Sequence, residues 1–264
     1  MDWGMKNRLS RIIKPDTGKA LMLAVDHGYF LGPTSGLEDL KKTVSPLVPY
    51  TDSLMLTRGA LRNCIDPAFP VPIVLRISGG NSILDDDLSN EDLTVAIDDA
   101  IRLNASAITM SIYVGAPHQH KTIINLAKTV DMGEKYGIPV LAVTAVGKDM
   151  VRDERYLGLA CRIAAETGAH MVKTYYCEDF DKLVKKVPIP VVIAGGKEIP
   201  EQEALELTYK AIHDGAVGVD MGRNIFQASA PVAMIQAVRS IVHGGNTAAK
   251  AFKMYKEQSA RKPK

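Results

Sequence analysis

A closed barrel of eight parallel strands, each leading into a helix (an α/β TIM barrel), with one extra C-terminal helix, is the fold this chain predicts, as a single domain over residues 1–264. Three observations predict it. Eight short apolar runs recur along the chain, longer amphipathic segments separate them, and several of those segments close on a glycine where a helix would end. Strands that alternate with helices must run parallel, because each crossover returns the chain to the same end of the sheet, and eight such units close on themselves. A doubly wound open sheet is the rival arrangement. At 264 residues, 46% hydrophobic and 23% charged, the chain has the size of one such barrel and enough apolar material to fill it.

The strand runs are 20–25 (ALMLAV), 52–57 (DSLMLT), 72–77 (PIVLRI), 106–113 (SAITMSIY), 139–145 (PVLAVTA), 169–175 (AHMVKTY), 190–194 (PVVIA) and 216–221 (AVGVDM). Each is short and rich in aliphatic or β-branched residues, as strands buried on both faces require. Helical periodicity appears over 90–103, 121–136, 153–167 and 201–213, and Gly137, Gly168 and Gly215 sit where left-handed C-caps belong. The crossover between the second and third runs is the poorest, with only ALRNCI able to form a short helix. Residues 246–258 (NTAAKAFKMYKEQ) read as the extra helix, ahead of a basic tail.

Composition excludes several roles. A formal net charge of +2 gives no electrostatic footprint for nucleic acid or a membrane surface. The N-terminus lacks the apolar run of a signal peptide, and no segment reaches the roughly 20 apolar residues of a transmembrane helix. Cys64, Cys161 and Cys177 are odd in number and widely spaced, which fits reduced thiols in the cytoplasm better than disulfides or a zinc site.

In a barrel of this kind, chemistry gathers at the C-terminal ends of the strands. Lys173 lies inside the sixth run, where period-two alternation puts Met171, Lys173 and Tyr175 on one face. A buried ammonium there is either a paired structural charge or a nucleophile aimed at a carbonyl. Asp26 and His27 end the first run. The aspartate can orient Lys173, relay protons or satisfy a turn amide, and the histidine is an acid–base group near neutral pH or a packed loop residue. Gly195-Gly196 and Gly222-Arg223 end the last two runs. There, the glycines either merely permit tight turns or, leading into helix starts, offer free amides to a phosphate, with Arg223 as a charged clamp; two such loops side by side favour phosphate. Lys148, beyond the fifth run, is a further cation at the same rim. His118 and His120 have an H-x-H spacing but no nearby carboxylate, and read as solvated loop rather than as metal ligands. Cys177 precedes Glu178 and Asp179, whose charge disfavours a thiolate, so it reads as structural.

With these residues assembled, the chain resembles the archaeal-type class I aldolases grouped with deoxyribose-phosphate aldolase. The stretches that carry the likeness are DWGMKNRLSRI, LAVDHGYFLGP, the TRG at 57–59, VGKDMVRDERY, VKTYY, VIAGGK and GVDMGRNIFQ, spread over nearly the whole chain. The resemblance implies that Lys173 forms a Schiff base with a ketone, that Asp26 and His27 line the site, and that the backbone at Gly195-Gly196 and Gly222-Arg223 holds phosphate. It also implies no bound cofactor and a homo-oligomer, often a decamer of two five-fold rings. Fructose-bisphosphate aldolases of this family carry a Tyr-Pro-Arg segment after the fifth strand, whose tyrosine is the acid–base catalyst. Here the segment reads Thr144-Ala145-Val146-Gly147-Lys148, with alanine at the tyrosine's place. The thiolase branch of the family, which processes phosphorylated autoinducer-2, has the same kind of Val-Gly-Lys-Asp sequence. The expected activity is therefore carbon–carbon cleavage of a small phosphorylated ketone, with coenzyme A as acyl acceptor in the thiolase case. The alternatives are a class I fructose-bisphosphate or related sugar-phosphate aldolase, a metal-dependent lyase using the histidines, and a non-catalytic sugar-phosphate-binding scaffold.

Overall fold

The computed structural model describes residues 1–145 and 151–260. Eight parallel strands close into a barrel, and two short ones form a separate antiparallel hairpin. In chain order they are β1 (Ala20–Ala24), β2 (Ser53–Thr57), β3 (Ile73–Arg76), the hairpin strands β4 (Ser78–Gly79) and β5 (Asp92–Leu93), β6 (Ala107–Ile112), β7 (Val140–Thr144), β8 (Met171–Thr174), β9 (Val191–Ala194) and β10 (Gly218–Met221). Around the barrel the order is β1-β10-β9-β8-β7-β6-β3-β2, and β1 closes on β2. Each barrel strand lies within its expected run, and the doubly wound alternative is excluded by the closure.

The two faces of each strand serve two cores. Inward residues Ala20, Met22, Met55, Val74, Ala107, Leu141, Met171 and Val192 fill the barrel. The N-terminal helix Trp3–Ile12 sends Ile12 into the same cluster, with Leu9 and Ile13 packed beside it. Outward residues such as Leu21, Leu23, Leu54, Leu56, Val172 and Ile193 meet the surrounding helices. Inward alternation continues one step above Met171 to Lys173, so the apolar plug below becomes the floor of a polar cavity above.

Two departures from expectation matter. The helical pattern at 90–103 is helical only over Ile97–Arg102; Asp92 and Leu93 instead pair with Gly79 and Ser78. The hairpin draws Glu91 into the barrel mouth, and the hydrogen bonds that this carboxylate gathers outweigh a weak helical period. Pro231–Val242, a helix whose bounds were not read from the sequence although the eighth unit of the barrel requires one, buries Met234, Ile235, Val238 and Ile241 and carries the chain to the C-terminal helix, Ala248–Ser259. Its proline occupies the first turn, where a missing N–H leaves no carbonyl unpaired. Among the described residues, no helix is long and apolar enough to cross a membrane.

Candidate active site

The strand ends open on a cavity of about 910 Å³ whose walls include Asp26, His27, Lys173, Gly195, Gly196, Gly222 and Arg223. Seven of the sequence-selected residues thus meet in one place; the eighth, Lys148, lies outside the described residues.

Lys173 points inward. Its Nζ lies 2.8 Å from Asp220 Oδ2, and the two side chains are 9% and 0% exposed. The contact is one of charge more than alignment, since neither oxygen of Asp220 has a hydrogen-bond partner among the described residues. Burial pushes the Asp220 carboxyl above its ordinary range, against the opposing pull of Lys173. The lysine is therefore paired, yet it faces open space. The partner is Asp220, to which sequence reasoning assigned no role, and not Asp26, for which orienting Lys173 was one of three readings. Strand alternation carried the signal, because Asp220 shares the inward face of β10 with Gly218 and lies beside Met22 of β1.

Asp26 binds elsewhere. Its Oδ2 accepts from Arg76 Nε at 2.9 Å, in a pair 5–6% exposed. Burial alone would raise the Asp26 carboxyl; Arg76, with His27 and Lys173, more than reverses this and holds it below its ordinary range. His27 is not the near-neutral titrating group that one reading of the sequence allowed. Burial lowers it to about 4, with Lys173, Arg223 and Arg76 opposing protonation as well, so at pH 7 its ring is neutral. Its ring meets Phe226 edge-on at 5.7 Å, and its Nδ1 has no partner among the described residues.

The loops after β9 and β10 meet at one corner of the cavity, but their geometry differs from expectation. Only the loop after β10 runs directly into a helix, the short turn Arg223–Phe226. After β9 the helix starts at Glu201, with Glu201 and Glu203 in its first turn, so its N-terminus does not present bare positive charge to the cavity. Asn224, at the rim but given no role from the sequence, fastens the two loops together: its Nδ2 donates to Gly195 O at 2.7 Å and its Oδ1 accepts from Ile199 N at 3.0 Å. Gly196 adopts φ +73°, and a Cβ on Gly222 would stand 2.3 Å from Ala24 O. Arg223 Nε is buried without a hydrogen-bond partner among the described residues.

The opposite wall is a hydrogen-bonded cluster about Glu91, which is 1% exposed. Glu91 Oε1 accepts from Tyr29 Oη at 2.7 Å and Tyr113 Oη at 2.9 Å, and Oε2 accepts from Ser78 Oγ at 2.7 Å. Arg76 links this cluster to Asp26, donating to Ser111 Oγ at 2.8 Å and Ser78 Oγ at 3.4 Å. Tyr29, Arg76, Tyr113 and Ala145 line the cavity. Burial raises the Tyr29 and Tyr113 phenols well above their ordinary range.

The remaining candidates stay outside. Among the described residues no three His, Cys, Asp or Glu side chains gather as a metal site; His118 meets Asp87 at 3.6 Å on the surface. Burial lifts the Cys177 thiol to about 11, with Glu154, Asp153 and Asp179 adding to it; of the two acidic neighbours in sequence, Asp179 contributes.

Comparison with known proteins bears on this geometry. Residues 20–228 match the model of the DeoC/LacD family aldolases. The chain is 55% identical over 259 residues to an uncharacterised aldolase of Pasteurella multocida, covering 98% of this chain and 89% of that one. It is 55% identical over 256 residues to the 3-hydroxy-5-phosphonooxypentane-2,4-dione thiolase of Photorhabdus laumondii, covering 97% and 88%. Among solved structures, an archaeal fructose-1,6-bisphosphate aldolase with its catalytic lysine covalently bound to the carbinolamine intermediate superposes with a TM-score of 0.81. It is 25% identical, over 91% of this chain and 100% of that one.

Proposed function

Because this chain belongs to the DeoC/LacD family of aldolases, we propose that it thiolyses 3-hydroxy-5-phosphonooxypentane-2,4-dione, with Lys173 as the Schiff-base residue and coenzyme A as acyl acceptor. The observation that carries the reading is an inward amine on β8 that opens on the same cavity as the loops after β9 and β10. Support for the substrate comes from the thiolase relatives and from Ala145 standing where an aldolase would need tyrosine.

In this mechanism the phosphate rests on Gly195, Gly196, Gly222 and Arg223, with Lys148 as a further cation. Asp220, made more basic by burial, takes the proton of the Lys173 ammonium, and the free amine attacks the ketone next to the phosphate-bearing carbon. Loss of water leaves a cationic imine. Asp26, kept ionised by Arg76, stabilises that cation, and neutral His27 hydrogen-bonds a substrate oxygen. The coenzyme A thiolate adds to the distal ketone, and the bond between that carbon and the hydroxyl-bearing carbon breaks. Its electron pair enters the imine to give an enamine. Protonation of the enamine carbon and hydrolysis release dihydroxyacetone phosphate and regenerate Lys173, while the acetyl group leaves as the thioester. The proposed setting is the cytoplasm, which supplies coenzyme A and keeps the three free cysteines reduced. The assembly is a homo-oligomer, a reading taken from the family and supported by Trp3, which is 79% exposed on the N-terminal helix.

Borohydride reduction with the phosphorylated dione, then peptide mass mapping, tests the assignment. An adduct on the peptide bearing Lys173, absent from Lys173→Met, is expected; an adduct on another lysine, or none, refutes it. A second reading, aldol cleavage of fructose 1,6-bisphosphate, draws on the solved archaeal aldolases. Turnover of that sugar without coenzyme A would favour it.

A further inference from the structure

We propose that Glu91 and Tyr113, assisted by Tyr29, form the proton relay of this site, replacing the acid–base tyrosine absent at Ala145. The inference rests on the thiolysis mechanism above. That reaction moves one proton in total, from the thiol of the acceptor to the enamine carbon, so the site needs a group that holds the proton in between.

The topology places the cluster where that proton is needed. β10 and β6 stand four strands apart in the ring of eight, as do β9 and β3. The phosphate corner at the ends of β9 and β10 therefore faces the wall formed by Arg76 at the end of β3 and Tyr113 just after β6. A substrate held at one side by its phosphate and near the middle by Lys173 directs its reacting carbons towards that wall.

The hydrogen bonding suits the task. Both phenols donate to the same oxygen of Glu91 while lining the cavity. Each phenol keeps its own proton at neutral pH, because burial disfavours the phenolate. Its lone pairs are free to accept a proton only as its own passes to Glu91. In the forward step the S–H bond of the acceptor breaks and a new Tyr113 O–H forms, while the former Tyr113 O–H breaks and a Glu91 O–H forms. The reverse transfer delivers one proton to the enamine carbon and restores both side chains, so the cycle balances without another reactant. Arg76 and Ser78 hold the unit in place and connect it to Asp26. A cluster that served only to brace the hairpin would gain nothing from placing both tyrosines on the cavity wall.

Two measurements on Glu91→Gln and Tyr113→Phe test this. The first is borohydride trapping of dihydroxyacetone phosphate on Lys173, which reports folding and imine formation. The second is exchange of the hydroxymethyl protons of dihydroxyacetone phosphate in D2O, followed by NMR, which isolates the enamine proton step from the acceptor. Trapping within about twofold of wild type and exchange slowed about 100-fold are expected, the lower end of what a general acid–base group supplies. Exchange at the wild-type rate, or trapping and exchange lost in equal proportion, overturns the relay while leaving the Schiff base standing. Absence of trapping in the wild type removes the mechanism and the relay together. If Glu91→Gln does not fold, Tyr113→Phe, which removes a single oxygen, decides the matter.

Discussion

The Lys173–Asp220 pair makes a quantitative prediction. Asp220→Asn keeps the shape of the side chain and removes its charge, leaving the ammonium of Lys173 without its 2.8 Å partner in a pair 9% and 0% exposed. Removing one member of a buried ion pair costs about 3–5 kcal/mol. Asp26 remains close enough to Lys173 for the two charges to influence each other, so the lower end applies. About 3 kcal/mol corresponds to a fall in Tm of roughly 6–12 °C for a chain of this size. The double variant Lys173→Met/Asp220→Asn should regain at least about 1 kcal/mol over the sum of the single changes, since it removes both charges. Denaturant unfolding of the four proteins measures this coupling, and stopped trapping with the phosphorylated dione measures imine formation, which Asp220→Asn should slow by losing the amine's proton acceptor. An Asp220→Asn protein within about 1 kcal/mol of wild type, with additive effects in the double variant, would show that the pair is not energetically coupled and would refute the role given to Asp220.

Period and punctuation revealed all eight barrel strands, because strands buried on both faces carry continuous apolar runs and their neighbours end in glycine caps such as Gly137 and Gly168. Lys173, Asp26 and Arg223 were visible because charges inside or at the ends of apolar runs stand out. Asp220 was equally well placed, but a lone carboxylate reads as a turn residue until the closed sheet sets it against Lys173 from two strands away. Glu91 was harder still: it lay in a segment with helical period, and only pairing of Ser78 and Gly79 with Leu93 and Asp92 carries it to Tyr29 and Tyr113. The local pattern fixes which face a side chain takes, whereas its partners depend on ring closure and hairpin register, both of which are long-range.

Two further predictions follow from the same geometry. Asn224→Ala leaves Gly195 O and Ile199 N without their partner and unfastens the loops after β9 and β10; KM for the phosphorylated substrate should rise about tenfold with kcat within twofold, equivalent to about 1.4 kcal/mol of binding. An unchanged KM would mean that these loops do not hold the phosphate. His27 gives the pH dependence. The folded protein keeps this ring neutral down to about pH 4, whereas the unfolded chain takes up the proton near 6.5. Unfolding therefore binds a proton between those values, and stability falls as pH drops from 6.5 through 4, by up to about 3 kcal/mol. His27→Asn removes the titrating group, so its stability should decline less steeply than wild type across that window, by chemical denaturation at half-unit steps. Parallel curves would mean that His27 takes up its proton as readily in the fold as in the unfolded chain, and the neutral hydrogen-bonding role assigned to it would fail.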